Sequence, residues 1–415
     1  GATRAGSGRS GISWTRRGHA PLIDESAKGR RLPAVERSLP RGLVCAVLAV
    51  ALLAVPAGAG AAVVVSTLGS TGAGPYGIAV DSAGNVYTAN ETAGSVTKIT
   101  PAGVASTLGT TGTSPRGIAV DAAGNVYTAN FNSNNVTKIT PAGVSTTLGS
   151  TGTHPQMVAV DAAGNVYASN YNANSVTKIT PGGVSTTLGS TGANPWGIAV
   201  DSAGNVYTAN QGSNNVTKIT PGGSASTLGT TGNGPTGLAL DSSGNVYVAN
   251  YSSNTATKIT AAGASSLLGG TGNNPIAIAV DASGNAYTAN SGSSTVVKIT
   301  PAGVSSTLGS TGSGPYGVVV DSAGNIYTSN SGANTVTKFA VEQTLTITPA
   351  GTGSGTVTSN PTGIDCGSTC STQYDGGTSV TLTATAAAGS TFTGWSGACS
   401  GTASTCTVTM SQARA

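Results

Sequence analysis

The stretch Pro75–Asn90, PYGIAVDSAGNVYTAN, sets the pattern for most of this 415-residue chain. Its proline occurs seven times at a constant spacing of 40 residues, at Pro75, Pro115, Pro155, Pro195, Pro235, Pro275 and Pro315. A fixed period near 40 residues built from short β-rich segments is typical of a β-propeller or a similar array. The spacing therefore predicts an all-β repeat protein.

Each repeat has the pattern of an antiparallel meander. In the first full copy we expect strands at Gly77–Val80, Val86–Ala89, Val96–Ile99 and Val104–Leu108. Asp81 and Gly84 suit positions i and i+3 of a type I turn, and Pro101 suits the second position of another turn. Short strands joined by tight turns in this way form the blade of a propeller.

The two ends of the repeat region indicate how the array closes. The last copy ends at Thr335–Phe339 without a fourth strand, whereas Val64–Gly69, before the first copy, has the fourth-strand pattern of Val104–Gly109. Because unpaired sheet edges invite aggregation, we expect the leading strand to pair with the last copy. The sequence thus predicts a seven-bladed β-propeller over residues 62–340, closed by an N-terminal strand.

Residues 1–41 form a basic leader with nine basic and three acidic residues, which we expect to be disordered. Region 42–61 contains an unbroken apolar run of 13 residues, Leu43–Val55, followed by small residues in A-x-A order. A basic region, a short apolar core and a small-residue exit are typical of a secretory signal peptide, whereas a membrane anchor is longer. A buried strand or short helix is the alternative, and the flanking residues favour export.

Charge is nearly balanced in the rest of the chain. The propeller region carries eight basic and eight acidic residues, and residues 341–415 carry one basic and three acidic ones. Such a chain has no basic face for phosphates, which argues against nucleic acid as a partner. Charged residues make up only 8% of the chain, so solubility depends on Ser, Thr and Asn.

Comparison of the internal copies separates a constant face from a variable face. In an up-and-down blade, the turns between second and third strands share one face with the links between blades. The residue after the repeat proline, on that face, is Tyr76, Arg116, Gln156, Trp196, Thr236, Ile276 or Tyr316. The residue after the asparagine that ends the second strand is Glu91, Phe131, Tyr171, Gln211, Tyr251, Ser291 or Ser331.

Six aromatic residues occupy these variable positions, although aromatics are only 4% of the chain. Aromatic side chains on a rigid scaffold give a binding surface a large contact area at low entropic cost. Drift in tolerant loops is the alternative, but drift would scatter aromatics less selectively. We therefore predict a ligand-binding face formed by Tyr76, Glu91, Arg116, Phe131, His154, Gln156, Tyr171, Trp196, Gln211, Tyr251 and Tyr316.

Residue types suited to catalysis or metal binding are sparse in the repeats. Each repeat aspartate, such as Asp81, stands alone at a turn, where capping explains it better than calcium coordination. The repeat lysines, such as Lys98, indicate a solvated or ion-paired strand face. His154 and Glu91 both fall on the variable face, but one such pair more often arises by coincidence than for acid–base catalysis. We assign no catalytic residue, metal or cofactor.

The motif P-x-G-I-A-V-D-x-x-G-N-V-Y-x-A-N, followed by N-x-V-T-K-I, resembles the NHL repeat family. It is especially similar to the exported NHL propellers of actinobacteria, including the sensor propeller of mycobacterial receptor kinases. This resemblance implies a module that binds proteins, peptides or glycans on one face. Many propellers of this family have six blades, so the predicted count is a departure from the family pattern.

The streptogramin (virginiamycin B) lyases are similar propellers, and that resemblance implies an enzymatic alternative. As the family implies it, the lyase activity requires a magnesium site with histidine and glutamates. The region 62–340 contains a single histidine and a single glutamate, so we carry over no catalytic residue.

The period ends after an expected linker at 341–344, and residues 345–415 read as a small β domain. In an exported chain, the close pairs Cys366/Cys370 and Cys399/Cys406 favour two local disulfides over a zinc site. The stretches PTGIDCGSTC and FTGWSGACSG resemble the divergent internalin-B-type modules of bacterial surface proteins. This resemblance implies a grasp-like β fold that acts as a spacer or an adhesive unit. Such modules usually continue into one more strand, which leaves open a truncation at Ala415.

These observations together predict a bacterial protein that is secreted or associated with the cell wall. We expect it to bind an unknown protein, peptide or glycan through the variable propeller face. We also expect a monomer without a stable membrane span in the mature chain. A streptogramin-lyase-like enzyme on the same face and a structural surface stalk without a discrete ligand are the alternatives.

Overall fold

The structure is a computed structural model that describes residues 63–411 and 413–415. The leader expected at 1–41 and the signal peptide expected at 42–61 lie outside the described residues. Within those described ranges the regular elements are β-strands, which confirms the all-β prediction. They include no helix long and apolar enough to span a membrane.

The strands follow the repeat. Strand β1 is Val63–Ser70, and the first three repeats supply β2–β5 (Pro75–Val80, Val86–Asn90, Ser95–Ile99, Ala105–Thr110), β6–β9 (Pro115–Val120, Val126–Asn130, Asn135–Ile139, Ser145–Ser150) and β10–β13 (Pro155–Val160, Val166–Asn170, Ser175–Ile179, Ser185–Ser190). The later repeats supply β14–β17 (Pro195–Val200, Val206–Asn210, Asn215–Ile219, Ala225–Thr230), β18–β21 (Pro235–Leu240, Val246–Asn250, Thr255–Ile259, Ser265–Gly270), β22–β25 (Pro275–Val280, Ala286–Asn290, Thr295–Ile299, Ser305–Ser310) and β26–β28 (Pro315–Val320, Ile326–Asn330, Thr335–Thr346).

Each full repeat folds into a four-stranded antiparallel sheet in chain order, for example β2-β3-β4-β5. The last repeat takes its fourth strand from the start of the region, because its sheet has the order β1-β28-β27-β26. Val65 lies opposite Phe339 in this sheet. The predicted pairing of Val64–Leu68 with Thr335–Phe339 is therefore confirmed.

The sheets are arranged around a common centre. The first strand of each sheet packs beside the first strand of the next, from β2 through β6, β10, β14, β18 and β22 to β26, and β26 packs beside β2. The repeated four-stranded sheets thus have a β-propeller arrangement, with the first strands innermost. The second residue of each first strand, directly after the repeat proline, consequently lies near the axis at one end.

The core of the propeller lies between neighbouring sheets. Val86, Ala89, Val96 and Ile99 of the first repeat are fully buried, and the same positions are buried in the later copies. Tyr87 and its neighbours on one sheet pack against the strands of the following sheet. Burial of these apolar side chains on both faces of each sheet is what the hydrophobic runs of the repeat encode.

The repeat aspartates cap the turn between the first and second strands. In the first copy Gly84 N donates to Asp81 O at 3.0 Å, and Ala83 N donates to the Asp81 carboxylate at 3.0 Å. Asn85 Nδ2 and the Tyr87 hydroxyl both donate to Asp81 Oδ2 at 2.9 Å. The predicted capping role is confirmed, and the carboxylate also anchors the framework tyrosine.

The repeat lysines have two environments. Six of them place Nζ over the ring of the tyrosine opposite, from 5.2 to 5.9 Å from the centroid. The seventh, Lys338, forms an ion pair with Asp375 at 2.6 Å. Of the repeat lysines, Lys338 is thus ion-paired as the sequence led us to expect, whereas the other six lysines lie over tyrosine rings.

The capped aspartates predict an acid-sensitive fold. Burial raises their pKa, but hydrogen bonds from the asparagine side chain, the backbone and the tyrosine hydroxyl lower the pKa below 3.8 overall at Asp81, Asp121, Asp161, Asp201 and Asp241. Because the unfolded carboxylates bind protons more readily, this stabilisation is present above pH 3.8 and is lost as the pH falls through the lower folded pKa.

We expect the urea midpoint to stay level from pH 7 to about pH 5 and to fall steeply below about pH 4. Asp201→Asn removes one of the five carboxylates with a lowered pKa and should reduce the acid-dependent loss by about a fifth. The exposed Val104→Ser, on the same face, is the control. An Asp201→Asn chain with the full acid dependence of the parent would contradict the expectation.

The C-terminal region forms a second set of strands after the propeller. These are β29 (Gly355–Asn360), β30 (Asp365–Cys366), β31 (Ser371–Asp375), β32 (Ser379–Ala386) and β33 (Thr405–Thr409). Four of them form a sheet in the order β30-β29-β32-β33. Cys366 is joined to Cys370 and Cys399 to Cys406, as the sequence predicts. Trp395 packs against the core of this region, and its Nε1 donates to Ala403 O at 2.9 Å.

The linker expected at 341–344 has the conformation of a strand. Residues 341–344 lie inside the continuous strand β28, which runs from the last repeat into the C-terminal region. Val341 pairs with Val63, and Glu342 pairs with Asp375 of β31. The segment is a strand because partners distant in sequence supply the hydrogen bonds on both sides of the junction.

Candidate binding site

Two sets of variable side chains are brought together by the links between sheets. In the first repeat Glu91 N donates to Gly74 O at 2.7 Å, so the turn after the second strand packs on the link that leads into the first strand. Phe131 N and Ser114 O make the equivalent bond at 2.9 Å in the second repeat. The turn that carries the residue after the repeat asparagine therefore lies at the same end of the sheet as the link before the repeat proline, in agreement with the shared face expected from the sequence.

These side chains surround a depression of about 430 Å³, which we call the cup. Residues from six of the repeat sheets line the cup: Tyr76, Glu91, Arg116, Trp196, Gln211, Thr236, Tyr251, Ile276 and Tyr316. Because six sheets around one centre contribute to it, the cup lies at the axial end of the propeller. Its position depends on the whole ring and not on one loop.

The polar side of the cup is a hydrogen-bonded chain of four side chains. Arg116 Nε donates to Glu91 Oε1 at 2.8 Å, and Arg116 Nη1 donates to Gln156 Oε1 at 3.0 Å. Gln156, only 1% exposed, in turn donates through Nε2 to the Tyr76 hydroxyl at 3.0 Å. Each member fixes the next, so the guanidinium is held in one orientation.

Aromatic rings hold the same guanidinium from its faces. Arg116 Cζ lies 3.6 Å from the centroid of the Phe131 ring and 5.4 Å from that of Tyr76. Phe131 stacks on His154 with centroids 4.5 Å apart. Stacking over aromatic faces stabilises a cation that is partly removed from water. The positive charge of the cup, the Arg116 guanidinium, is thus already held by aromatic rings of the protein.

Tyr76 forms part of the wall beneath this network. Its side chain is buried, and burial raises the pKa of the phenol well above 10, although the nearby Arg116 acts to lower it. The Tyr316 ring lies 4.6 Å away, tilted by 45°. The Tyr76 hydroxyl therefore remains protonated at neutral pH and keeps a hydrogen for donation while it accepts from Gln156.

The opposite side of the cup is aromatic. Tyr171 donates its hydroxyl to Gln211 Oε1 at 2.9 Å and meets the edge of Trp196 with centroids 5.8 Å apart. Trp196 Nε1 is buried and has no hydrogen-bond partner among the described residues. A buried indole N–H normally has an acceptor, so Trp196 Nε1 is an unpaired donor in the wall beside the cup.

The eleven predicted residues divide into those that line the cup and those that support it. Tyr76, Glu91, Arg116, Trp196, Gln211, Tyr251 and Tyr316 line the cup. Phe131, His154, Gln156 and Tyr171 lie behind it and contact lining residues or each other. Thr236 and Ile276 also line the cup. Both directly follow a repeat proline, and this shared position could have identified them as lining residues from the sequence.

The histidine and glutamate of the propeller do not form an acid–base pair through a shared bond. His154 stacks on Phe131 behind the cup, and its Nδ1 is buried without a partner among the described residues. Glu91 Oε1 is bound to Arg116. No cluster of three or more His, Cys, Asp or Glu suited to a metal ion occurs within 63–411 and 413–415. The donor set therefore does not fit the magnesium site that the lyase resemblance implies.

The opposite face carries a depression of another kind. A groove of about 450 Å³ between two neighbouring sheets is lined by Asp241, Tyr247, Lys258 and Asp281, among others. These are framework residues that recur in the other copies, and Tyr247 already donates to Asp241 at 3.0 Å. The groove is lined by residues that are the same in most copies of the repeat, whereas the cup is lined by residues that differ between copies.

Comparisons with known proteins identify both regions. The sequence model of the virginiamycin B lyase family matches residues 61–339, and that of the divergent InlB B-repeat domain matches residues 344–415. Both matches confirm resemblances predicted from the sequence. A search of curated proteins finds no match.

Solved propellers share the fold at low sequence identity. A streptogramin B lyase structure has a TM-score of 0.57 and 15% identity, covering 67% of this chain and 97% of its own. The virginiamycin B lyase from Staphylococcus aureus has a TM-score of 0.57 and 17% identity, covering 67% and 98%. The WD40 propeller domain of Doa1 has a TM-score of 0.59 and 13% identity, covering 68% and 97%.

Proposed function

The chain belongs to the virginiamycin B lyase family, and from that premise we propose that it uses the family's propeller to bind a ligand in the cup without catalysis. The proposal includes a seven-bladed ring closed by β1, and a monomer exported to the cell surface or wall. The disulfide-stapled C-terminal module, with a grasp-like fold, would act there as a spacer or an adhesive unit. The partner is a protein, peptide or glycan segment small enough to enter the cup.

The observation that carries the proposal is the construction of the cup. Its volume of about 430 Å³ is that of a small-ligand site, and its wall combines aromatic rings with a few fixed polar groups. The Arg116 guanidinium is held by Glu91 and Gln156 before any ligand arrives. Such preorganisation lowers the entropic cost of binding.

Catalysis by the family's lyase chemistry is the second candidate, because family membership favours it. The donor set of the cup argues against it. Glu91 is the single carboxylate in the lining and accepts from Arg116, and His154 lies behind Phe131. A stalk without a ligand is disfavoured by the aromatic and ion-paired lining, since a spacer gains nothing from it.

We expect Trp196→Ala and Tyr251→Ala each to weaken ligand binding about tenfold or more, because aromatic side chains in a desolvated site carry much of the binding free energy. The measurement is a glycan and peptide array probed with the full chain, followed by titration calorimetry on the hits. Ser331→Ala is the matched control, because Ser331 occupies the repeat position of Tyr251 but is not among the residues that line the cup.

Three outcomes separate the candidates. A saturable ligand whose affinity depends on Trp196 and Tyr251 supports the binding protein. Quinupristin is present in a solved structure of an inactive virginiamycin B lyase from Staphylococcus aureus. Magnesium-dependent breakdown of quinupristin that is abolished by His154→Ala would favour the enzyme. Binding that is insensitive to both aromatic variants would place the ligand outside the cup and overturn the proposed site.

A further inference from the structure

We propose that the ligand of the cup is an uncharged oligosaccharide. This inference rests on the proposed function and names the chemical class that the cup accepts. It follows from the charges of the lining, from the site that Arg116 already occupies, and from the donors and acceptors that remain free.

The charges of the cup are already matched. Among the lining residues, Arg116 and Glu91 alone are charged, and their side chains are bonded at 2.8 Å. Both are partly removed from water, with side-chain exposures of 23% and 28%. A charged ligand group would compete with this pair or leave one of its members unpaired, and an unpaired, partly buried charge is costly. The cup therefore selects against charged ligands.

One aromatic position near the cup already holds a cation. The Arg116 guanidinium lies over the rings of Phe131 and Tyr76, where a ligand ammonium or guanidinium could otherwise rest. A second cation there would meet the positive charge of Arg116. Cationic peptides and quaternary ammonium compounds are thus excluded from this side of the cup.

The free polar groups of the cup are a mixture of donors and acceptors. The side-chain hydroxyls of Tyr251 and Tyr316, which line the cup, make no hydrogen bond to another described residue. Gln211 retains its amide donors while its Oε1 accepts from Tyr171. Hydroxyl groups both donate and accept, so a sugar can pair with all of these groups.

The rest of the lining contains aromatic and apolar side chains. Trp196, Tyr251 and Tyr316 line the cup together with Ile276, and the C–H surface of a pyranose can pack against such rings. A neutral peptide with apolar side chains would cover the same rings. It would leave the Gln211 amide and the tyrosine hydroxyls without partners, and unpaired groups that are buried on binding reduce affinity. The combination of rings and mixed polar groups favours the sugar.

The test is a binding panel on the full chain. The probes are neutral oligosaccharides of glucose, mannose, galactose and N-acetylglucosamine, oligosaccharides with uronic acid or sulfate groups, neutral, acidic and basic peptides, and quinupristin. We expect a neutral oligosaccharide to bind, with a dissociation constant that changes less than about twofold between 50 and 500 mM NaCl, since no net charge is involved.

Variants of the cup locate the bound sugar. Trp196→Ala should weaken binding of the neutral oligosaccharide about tenfold or more. Tyr251→Phe removes one hydroxyl and leaves the ring, so it provides a second test if Trp196→Ala folds poorly. We expect Tyr251→Phe to weaken the affinity for the sugar about threefold to tenfold. Ser331→Ala is again the matched control and should leave the affinity unchanged.

The outcomes distinguish this inference from the proposed function. Binding of a charged oligosaccharide, a peptide or quinupristin that is lost in Trp196→Ala overturns the uncharged sugar and leaves the cup as a binding site. Binding of a neutral sugar with equal affinity to Trp196→Ala and Tyr251→Phe overturns the inference as well, because the sugar then lies elsewhere. A panel without any binder overturns both the inference and the proposed function.

Discussion

Deletion of β1, Val63–Ser70, is expected to abolish cooperative folding of the propeller. β1 is the fourth strand of the sheet that contains β26, β27 and β28, and it pairs with β28 along seven residues. Val63 packs against the core that contains Phe339, and Leu68 packs against the core that joins the last sheet to the first. Without β1, the edge of β28 and the fully buried Phe339 face water.

The expected loss is on the order of 5 kcal/mol or more, which is comparable to the whole stability of a typical domain. Urea unfolding followed by tryptophan fluorescence and light scattering measures it. The deletion chain should show aggregation and no sigmoidal transition. A chain that begins at Val63 is the matched control, because it keeps β1 and lacks only the residues before it, and it should unfold like the full chain.

A point substitution in β1 tests whether lost packing of this strand causes the loss of stability. Leu68→Asp keeps the backbone of β1 but places a charge in the core between the last and first sheets, and we expect a loss of about 3 kcal/mol or more. Val64→Asp, on a side chain that is 48% exposed, should change stability by less than about 0.5 kcal/mol. A deletion chain with an unchanged urea midpoint would show that β1 does not close the ring.

Much of the fold could be predicted because its signals are local in sequence. The Asp81–Gly84 spacing specifies a turn whatever lies beyond it, and the apolar runs specify strands buried on two faces. The constant 40-residue period then fixes how sheets follow one another. Even the pairing of β1 follows from local patterns, because a fourth strand is missing at one end and present at the other.

The junction after the propeller could not be predicted in the same way. Residues 341–344 carry no turn signal and no clear period, and they become part of β28 because Val63 and Asp375 lie opposite this segment. The lysines show the same limit. Lys98 rests on Tyr87 of the neighbouring strand, whereas Lys338 reaches Asp375 of the C-terminal region. Sequence spacing alone does not distinguish those partners.

The candidate site was predictable in position but not in its contacts. The topology of an up-and-down blade places both variable positions on one face, and the structure brings them together around the cup. Gln156 binds the hydroxyl of Tyr76, 80 residues away, and Arg116 binds Glu91 of the preceding repeat. Such contacts depend on which side chains of different repeats face one another in the folded ring. For this reason Phe131 and His154 became supports, while Thr236 and Ile276 entered the lining.

Small differences between copies also decide the stability of a buried polar network beneath the cup. In the fourth repeat Thr208 Oγ1 donates to Asn210 Oδ1 at 3.0 Å, and Asn210 Nδ2 donates to Thr217 Oγ1 at 2.8 Å. In the fifth repeat Val248 replaces the threonine. Asn250 Oδ1 is consequently buried without a hydrogen-bond partner among the described residues.

The two repeats therefore predict opposite effects for mirror substitutions. Thr208→Val should destabilise the protein by about 1–3 kcal/mol, because it leaves Asn210 Oδ1 buried and unpaired. Val248→Thr should stabilise it by about 0.5–1.5 kcal/mol, because the new hydroxyl has nearly the shape of the lost methyl and supplies the missing donor to Asn250. Shifts of the urea midpoint at pH 7 measure both changes.

The double variant Thr208→Val/Val248→Thr is the control for both. The two sites lie in separate sheets, so their effects should add to within about 0.5 kcal/mol if each is local. Destabilisation by Val248→Thr would mean that the cost of burying the hydroxyl exceeds the gain from its bond to Asn250. A water bound to Asn250 Oδ1 in solution would also make Val248→Thr destabilising, because the threonine would then replace a partner instead of supplying one.

Every repeat asparagine directly precedes one of the variable positions on the face of the cup. Stabilisation by Val248→Thr would therefore give a chain in which the cup variants remain folded.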